Sequence, residues 1–235
     1  MKAARETREK ALFLFVPHVR SLRRSRPADT MECMADPYKG SLVKELKRDQ
    51  MHSQDIAGAL EFLRSALGRE KIPFGLIGAL ALRHHGYSRF TEDIDILTTP
   101  EGLQRLHEKL IGRGLMPRAE GLKKRLRQTQ FKVNVDVLTS GEHAGSDESP
   151  TVYPDPLSDA FTEREGIRVA TLEKLIEFKI ASGVWGHRAQ DQGDVQKLIQ
   201  ANALTESFAD TLPEELRARF LEILVESRLE RDIEE

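Results

Sequence analysis

The stretch Phe74–Leu97, FGLIGALALRHHGYSRFTEDIDIL, decides the fold. With Ile72 before it, its apolar start predicts a short strand over Ile72–Ile77, which Gly78 breaks. Ala79–His84 follows as a compact helix of mostly good helix formers, closed by Gly86. Glu92–Leu97 predicts a second strand in which Ile94 and Ile96 alternate with Asp93 and Asp95. One short stretch therefore carries a strand, a glycine turn, a helix, and a strand with two acids on one face.

Working outward, Ile56, Leu60, Leu63 and Leu67 recur at spacings of four, three and four. That is the stripe of an amphipathic helix over 53–68, with Ser53 or Asp55 available as its cap. Pro100–Ile111 predicts a helix ending at Gly112 and Gly114. In Gln130–Leu138, Phe131, Val133, Val135 and Val137 alternate with Lys132, Asn134 and Asp136, so a third strand presents Asp136 on its polar face. Residues 141–166, rich in Gly, Ser, Pro and acids, read mostly as a long surface connection. Helical patterns then dominate 167–235: Leu172, Leu175, Ile176 and Phe178 after a Thr171 cap, then Val195, Leu198 and Ile199, then Leu216, Phe220, Ile223 and Leu224 after Pro213. The expectation is an α+β fold, a mixed sheet flanked by helices, with a helical C-terminal module.

The bulk numbers narrow the function classes. Charged residues make up 31% and hydrophobic ones 39%, and no apolar stretch reaches membrane-spanning length, so a soluble protein without membrane partners is expected. The lone Cys33 has neither a disulfide partner nor the spaced companions of a zinc site, which points to a reducing, cytoplasmic setting. A net charge of −2 argues against coating nucleic acid by bulk charge and leaves only local basic patches for that role. Residues 1–50 are expected to form a basic N-terminal extension, poorly ordered in part. Its first thirty residues hold eight Lys/Arg against three Asp/Glu, and Met31, Met34 and Met51 are alternative starts close behind.

The residue types at these positions suggest chemistry. A glycine between strand and helix serves either as simple turn punctuation or as a phosphate cradle, because backbone N–H groups can approach phosphate oxygens where no side chain intervenes. Asp93 and Asp95 project from one face of a strand, either as solvated charge or as oxygen ligands for hard divalent cations. Asp136, on the polar face of another strand, would complete a three-carboxylate nest able to hold two magnesium ions, an arrangement suited to phosphoryl transfer. Arg89, four residues before Asp93, is either an exposed loop charge or a planar fork placed for a phosphate. The adjacent His84 and His85 suit helix capping better than metal binding. Lys123, Lys124, Arg125 and Arg127 form a basic cluster that reads as a charged surface turn or as a guide for an RNA backbone.

Together, Gly78-Ala79, His85-Gly86, Arg89, Thr91, Asp93-Ile94-Asp95 and Val135-Asp136-Val137 resemble the minimal nucleotidyltransferase superfamily, specifically its AbiEii-type group of toxin nucleotidyltransferases. The resemblance spans about residues 53–200 and implies a nucleotidyltransferase core over 51–140. It implies Asp93, Asp95 and Asp136 as catalytic metal ligands, and Gly78, Ala79, Arg89 and Thr91 as contacts to a nucleoside triphosphate. Where the family usually has Gly-Gly or Gly-Ser, this chain has Ala79 after Gly78. In the same group a helical lysine with downstream acids often serves the nucleotide site, and Lys179, Asp191 and Asp194 in KIASGVWGHRAQDQGDV are similar. From the residues alone, Lys179 could equally be a snorkelling lysine, and the two acids could simply complement a helix dipole. The resemblance further implies magnesium, RNA or the end of a tRNA as acceptor, and a toxin–antitoxin or phage-defence setting with a separately encoded antitoxin as partner. The alternative is a non-catalytic nucleotide-sensing or protein-binding domain that retains the fold.

Overall fold

The computed structural model describes residues 51–234. The basic extension and alternative starts expected within 1–50, Met51 apart, lie outside those residues.

Helix α1 (Met51–Arg69) buries the stripe read from the sequence, with Ile56, Leu60, Leu63 and Leu67 almost fully enclosed. It is already helical at Met51, so Ser53 and Asp55 lie inside it and neither acts as the cap. Strand β1 (Phe74–Leu76) is shorter than expected, and helix α2 (Gly78–His84) starts at the glycine itself. Strand β2 (Asp93–Thr98) keeps the predicted alternation: Ile94 and Ile96 are buried, while Asp93 and Asp95 face the other way. Helix α3 (Pro100–Leu110) begins at a proline in its first turn, with the Thr99 hydroxyl accepting from Gly102 N at 2.9 Å.

Two short strands absent from the sequence reading follow, β3 (Leu115–Pro117) and β4 (Arg125–Gln128). The basic cluster is therefore not a turn throughout: Arg125 and Arg127 point outward from β4 while Leu126 and Gln128 point inward. The third predicted strand loses its first residues for a physical reason. Lys132 has a φ of 58°, the Gln128 side chain accepts from Phe131 N at 2.7 Å, and residues 129–133 form the turn between β4 and β5 (Asn134–Thr139). Phe131 packs instead against Gly58 of α1, where a Cβ would meet its ring at 2.4 Å.

The segment read as a long connection contains the strand β6 (Phe161–Arg164), and β7 (Ile167–Ala170) opens the region expected to be helical. They form a hairpin whose turn, Glu165-Gly166, has positive φ at both residues, as a tight hairpin demands. Among the described residues the sheet has seven strands in the order β3-β4-β5-β2-β1-β7-β6. β2 pairs with β5 and β1 with β7 in parallel; the other neighbours are antiparallel. The fold is thus the expected α+β type, a mixed sheet with flanking helices.

The C-terminal helices are α4 (Leu172–Trp185), capped by the Thr171 hydroxyl on Lys174 N, α5 (Ala189–Ala201) and α6 (Glu214–Glu234), with a short 3-10 turn at Glu206–Thr211. Their apolar stripes, including Leu175, Ile176, Val195, Leu198, Leu216 and Phe220, are buried. The Asn202 side chain donates to the His85 carbonyl at 2.9 Å and ties the end of α5 to the end of α2. No helix among the described residues is long and apolar enough to cross a membrane.

Candidate functional site

The site grows from the glycine turn. Gly78 has a φ of +64°, and a Cβ there would lie 1.9 Å from Asp95 Oδ2. No other residue type lets the turn and this carboxylate share the space. The backbone fixes the same junction, because Ile77 N donates to Asp95 O at 3.1 Å. Ala79, expected to contact nucleotide, has its side chain buried, which leaves its backbone as the part that could meet a phosphate.

β2 and β5 bring the acids onto one face. Asp95 stands opposite Asp136 and Asp93 opposite Asn134 in the parallel register. Asn134 Nδ2 donates to Asp93 Oδ1 at 2.8 Å. Thr91 does not reach the cleft described below; its hydroxyl donates to Asp93 O at 3.0 Å and accepts from Asp93 N, fixing the entry to β2. Burial pushes the Asp95 carboxyl up to about 6; Lys179 draws it back down, while Asp136 and Asp93 add like-charge repulsion. Asp136 is engaged by two guanidinium groups, Arg125 Nη1 at 3.0 Å and Arg118 Nη1 at 3.3 Å. Among the described residues no three acidic, histidine or cysteine side chains are gathered as a ready-made metal cage. The donor chemistry nevertheless suits a hard cation, since the acids share a sheet face and two of them oppose the ionisation of the third.

Beside the acids lies a small cleft of about 80 Å³, partly open to solvent, whose walls include Gly78, Arg89, Asp95, Lys179, Arg188 and Asp191. Lys179 is buried, with Nζ 2.5 Å from Asp191 Oδ1 and 2.8 Å from Asp194 Oδ2. Arg89 reaches the same Asp194 through Nε at 3.0 Å and Nη2 at 3.3 Å, so it is not a free loop charge. Asp191 Oδ2 is buried without a hydrogen bond, and Arg188 Nε lies 3.4 Å from it. Asp191 and Asp194 are therefore the enclosed counter-ions of the cleft rather than helix-dipole decoration. His85 donates to the Ala170 carbonyl through Nε2 at 2.7 Å, and burial lowers its pKa, consistent with a structural histidine.

Three contributors escaped the sequence reading. Arg188 caps no helix dipole favourably, and that electrostatic oddity at the start of α5 was its only signal. Tyr153 lines the cleft from the segment read as a connection; burial pushes its hydroxyl up to about 12, against a smaller lowering by Ser182 beside it. Arg118 carried no signal, because its pairing depends on the unrecognised β3–β4 hairpin.

No family model and no curated protein matches the sequence. Similar solved structures include the antibiotic-resistance factor ANT(2'')-Ia in solution, at 15% identity and a TM-score of 0.47 over 72% of this chain and 96% of that one. A crystal structure of ANT(2'')-Ia in complex with adenylyl-2''-tobramycin is similar at 16% identity and a TM-score of 0.47 over 70% of this chain and 96% of that one. JHP933 from Helicobacter pylori is similar at 18% identity and a TM-score of 0.40 over 75% of this chain and 91% of that one. These are partial likenesses of form.

Proposed function

We propose that this protein is a magnesium-dependent nucleotidyltransferase, moving a nucleoside monophosphate from a nucleoside triphosphate onto an acceptor hydroxyl with release of pyrophosphate. The observation that carries this reading is the contact between Gly78 and Asp95, which puts a side-chain-free turn and a partly protonatable acid at the wall of one cleft. The cations there, Arg89, Lys179 and Arg188, are already matched by Asp95, Asp191 and Asp194. A triphosphate therefore needs further positive charge, which cations held by Asp93, Asp95 and Asp136 would bring. Magnesium held there would neutralise charge on the leaving pyrophosphate and acidify the attacking hydroxyl.

The chain's own groups do the rest. Gly78 leaves room for the Asp95 carboxylate at the cleft wall, Arg89 and Arg188 orient the triphosphate, and Lys179 holds positive charge toward Asp95. The acceptor oxygen bonds to the α-phosphorus as its proton passes to water, and the bond from that phosphorus to the bridging oxygen of pyrophosphate breaks. For the acceptor we propose the end of an RNA, a tRNA among the candidates; the exposed Lys123, Arg125 and Arg127, of which Arg125 stands opposite Asp136, support a polyanionic acceptor. A toxin role restrained by a separate antitoxin follows from the sequence resemblance alone.

The test is incubation with magnesium, each labelled triphosphate in turn and total RNA, alongside an Asp93→Ala, Asp95→Ala double variant. Label on RNA with pyrophosphate release, lost in the variant, is the expected result. Label on protein would keep the chemistry and replace the acceptor. Nucleotide binding without turnover under every triphosphate would favour a non-catalytic sensing domain, a reading to which the engagement of Asp136 by two arginines already lends weight.

A further inference from the structure

We infer that Arg118 and Arg125 are positioning residues that clasp Asp136 when no cation is present, so that a divalent cation and the two guanidinium groups compete for this carboxylate. The inference rests on the reading of Asp136 as a metal ligand. Both arginines are built into the sheet edge rather than wandering over it. Arg125 stands directly opposite Asp136 in the antiparallel β4–β5 register, which puts the two side chains on one face. Arg118 is pinned beside it by its backbone N–H, which donates to Arg125 O at 2.9 Å. Each arginine takes a different oxygen: Arg118 Nη1 lies 3.3 Å from Oδ1 and Arg125 Nη1 3.0 Å from Oδ2. Both carboxylate oxygens are thereby occupied, and a cation can bind Asp136 only by displacing or sharing with at least one guanidinium.

The exposures make this an exchangeable contact. The Arg118 side chain is 34% exposed and that of Arg125 59%, against 20% for Asp136, so water can replace the carboxylate around either fork. The cleft side of the same face behaves differently, because Lys179 is enclosed with its two aspartates and has nowhere to go. Asp136 is thus the one acid of the three whose counter-ions can swing away without opening the core, and the clasp keeps the acid face from carrying uncompensated charge before a cation arrives. Linkage then requires that removing the arginines tightens cation binding.

The test is Mn²⁺ binding to the full chain without nucleotide, followed by electron paramagnetic resonance and calorimetry. It compares the wild type, Arg118→Gln, Arg125→Gln, the double variant, and Asp136→Asn. The expected result is Mn²⁺ affinity about three- to tenfold higher in the double variant, with smaller gains in each single one and a loss in Asp136→Asn. A merely structural role would loosen the site, so the gain is diagnostic. Thermal melts of the single variants, which replace part-exposed side chains, establish that folded proteins are compared. If the wild type binds Mn²⁺ through Asp136 and the arginine variants bind it no more tightly, the clasp is overturned while the metal reading stands. If neither the wild type nor the double variant binds Mn²⁺, the metal reading fails and takes the clasp with it. Binding by the double variant alone would support the clasp in its strongest form.

Discussion

Two groups of cation–carboxylate pairs flank the acid-bearing face of the sheet, with similar chemistry and opposite surroundings. On the cleft side, Lys179, Asp191 and Asp194 are enclosed between α4 and α5, with Arg89 reaching in from the loop before β2. On the sheet edge, Arg118 and Arg125 meet Asp136 in partial contact with water. Burial raises the cost of breaking a pair far more than the value of making one, because the abandoned partner keeps its desolvation penalty. The cleft side should therefore be a fixed part of the architecture, and the edge a set of contacts that can be exchanged.

The largest expected effect follows from that difference. Lys179→Met leaves Asp191 and Asp194 buried without their ammonium, and a loss of about 3–5 kcal/mol is expected. Urea unfolding measures it as a lower midpoint at an unchanged m-value. A loss below about 1 kcal/mol would show that the network is as exchangeable as the edge and would erase the contrast.

Gly78→Ala comes next. The substitution forces an L side chain to a φ of +64° and drives it into Asp95 Oδ2. A cost of about 1–3 kcal/mol is expected from the backbone and the displaced carboxylate. In the proposed reaction turnover should fall further than stability, because the acid moves. An alanine variant with native stability and turnover would separate the turn from the acid.

How much of this was legible in the sequence depended on the length of the element. α1, α4 and the alternation in β2 and β5 carried enough periodic residues to declare themselves, and they position Asp93, Asp95, Asp136 and Lys179. β3, β4, β6 and β7 have three or four residues each, too few for a period, and exist because a neighbouring strand supplies their hydrogen bonds. Glu165-Gly166 was a hairpin signal within a run read as connection. Side-chain partnerships were harder still. Arg89 meets Asp194 across 105 positions, and nothing local in either segment announces the other. Residue types thus suggested which groups could do chemistry, whereas their counter-ions emerged only from the packing.

Asp95 sharpens the comparison from between the two regions. Burial first, and then its acidic neighbours against the pull of Lys179, raise its pKa from 3.8 to about 6. Between those values the native state holds a proton that the unfolded chain has released, so stability should fall as pH rises through this window and stay lower above it. Asp95→Asn removes the charge, so a gain of about 2–3 kcal/mol at neutral pH and a flatter stability profile between about pH 4 and 6 are expected. Denaturant midpoints across that range check both. A more stable variant without turnover would show that this acid is kept at a cost to the fold, as functional groups often are.

The smallest effect should belong to Arg125→Gln. Its guanidinium is mostly in water, Arg118 still holds the other oxygen of Asp136, and the backbone pairing of β4 with β5 is untouched. A change below about 1 kcal/mol in unfolding free energy is expected, shrinking further as salt is added. A larger loss, comparable with that of Lys179→Met, would mean that Asp136 depends on Arg125 for its place in the fold, and a cation could not then displace the arginine without also weakening the sheet edge. A small loss leaves Asp136 able to change partners while the strands that carry it stay fixed.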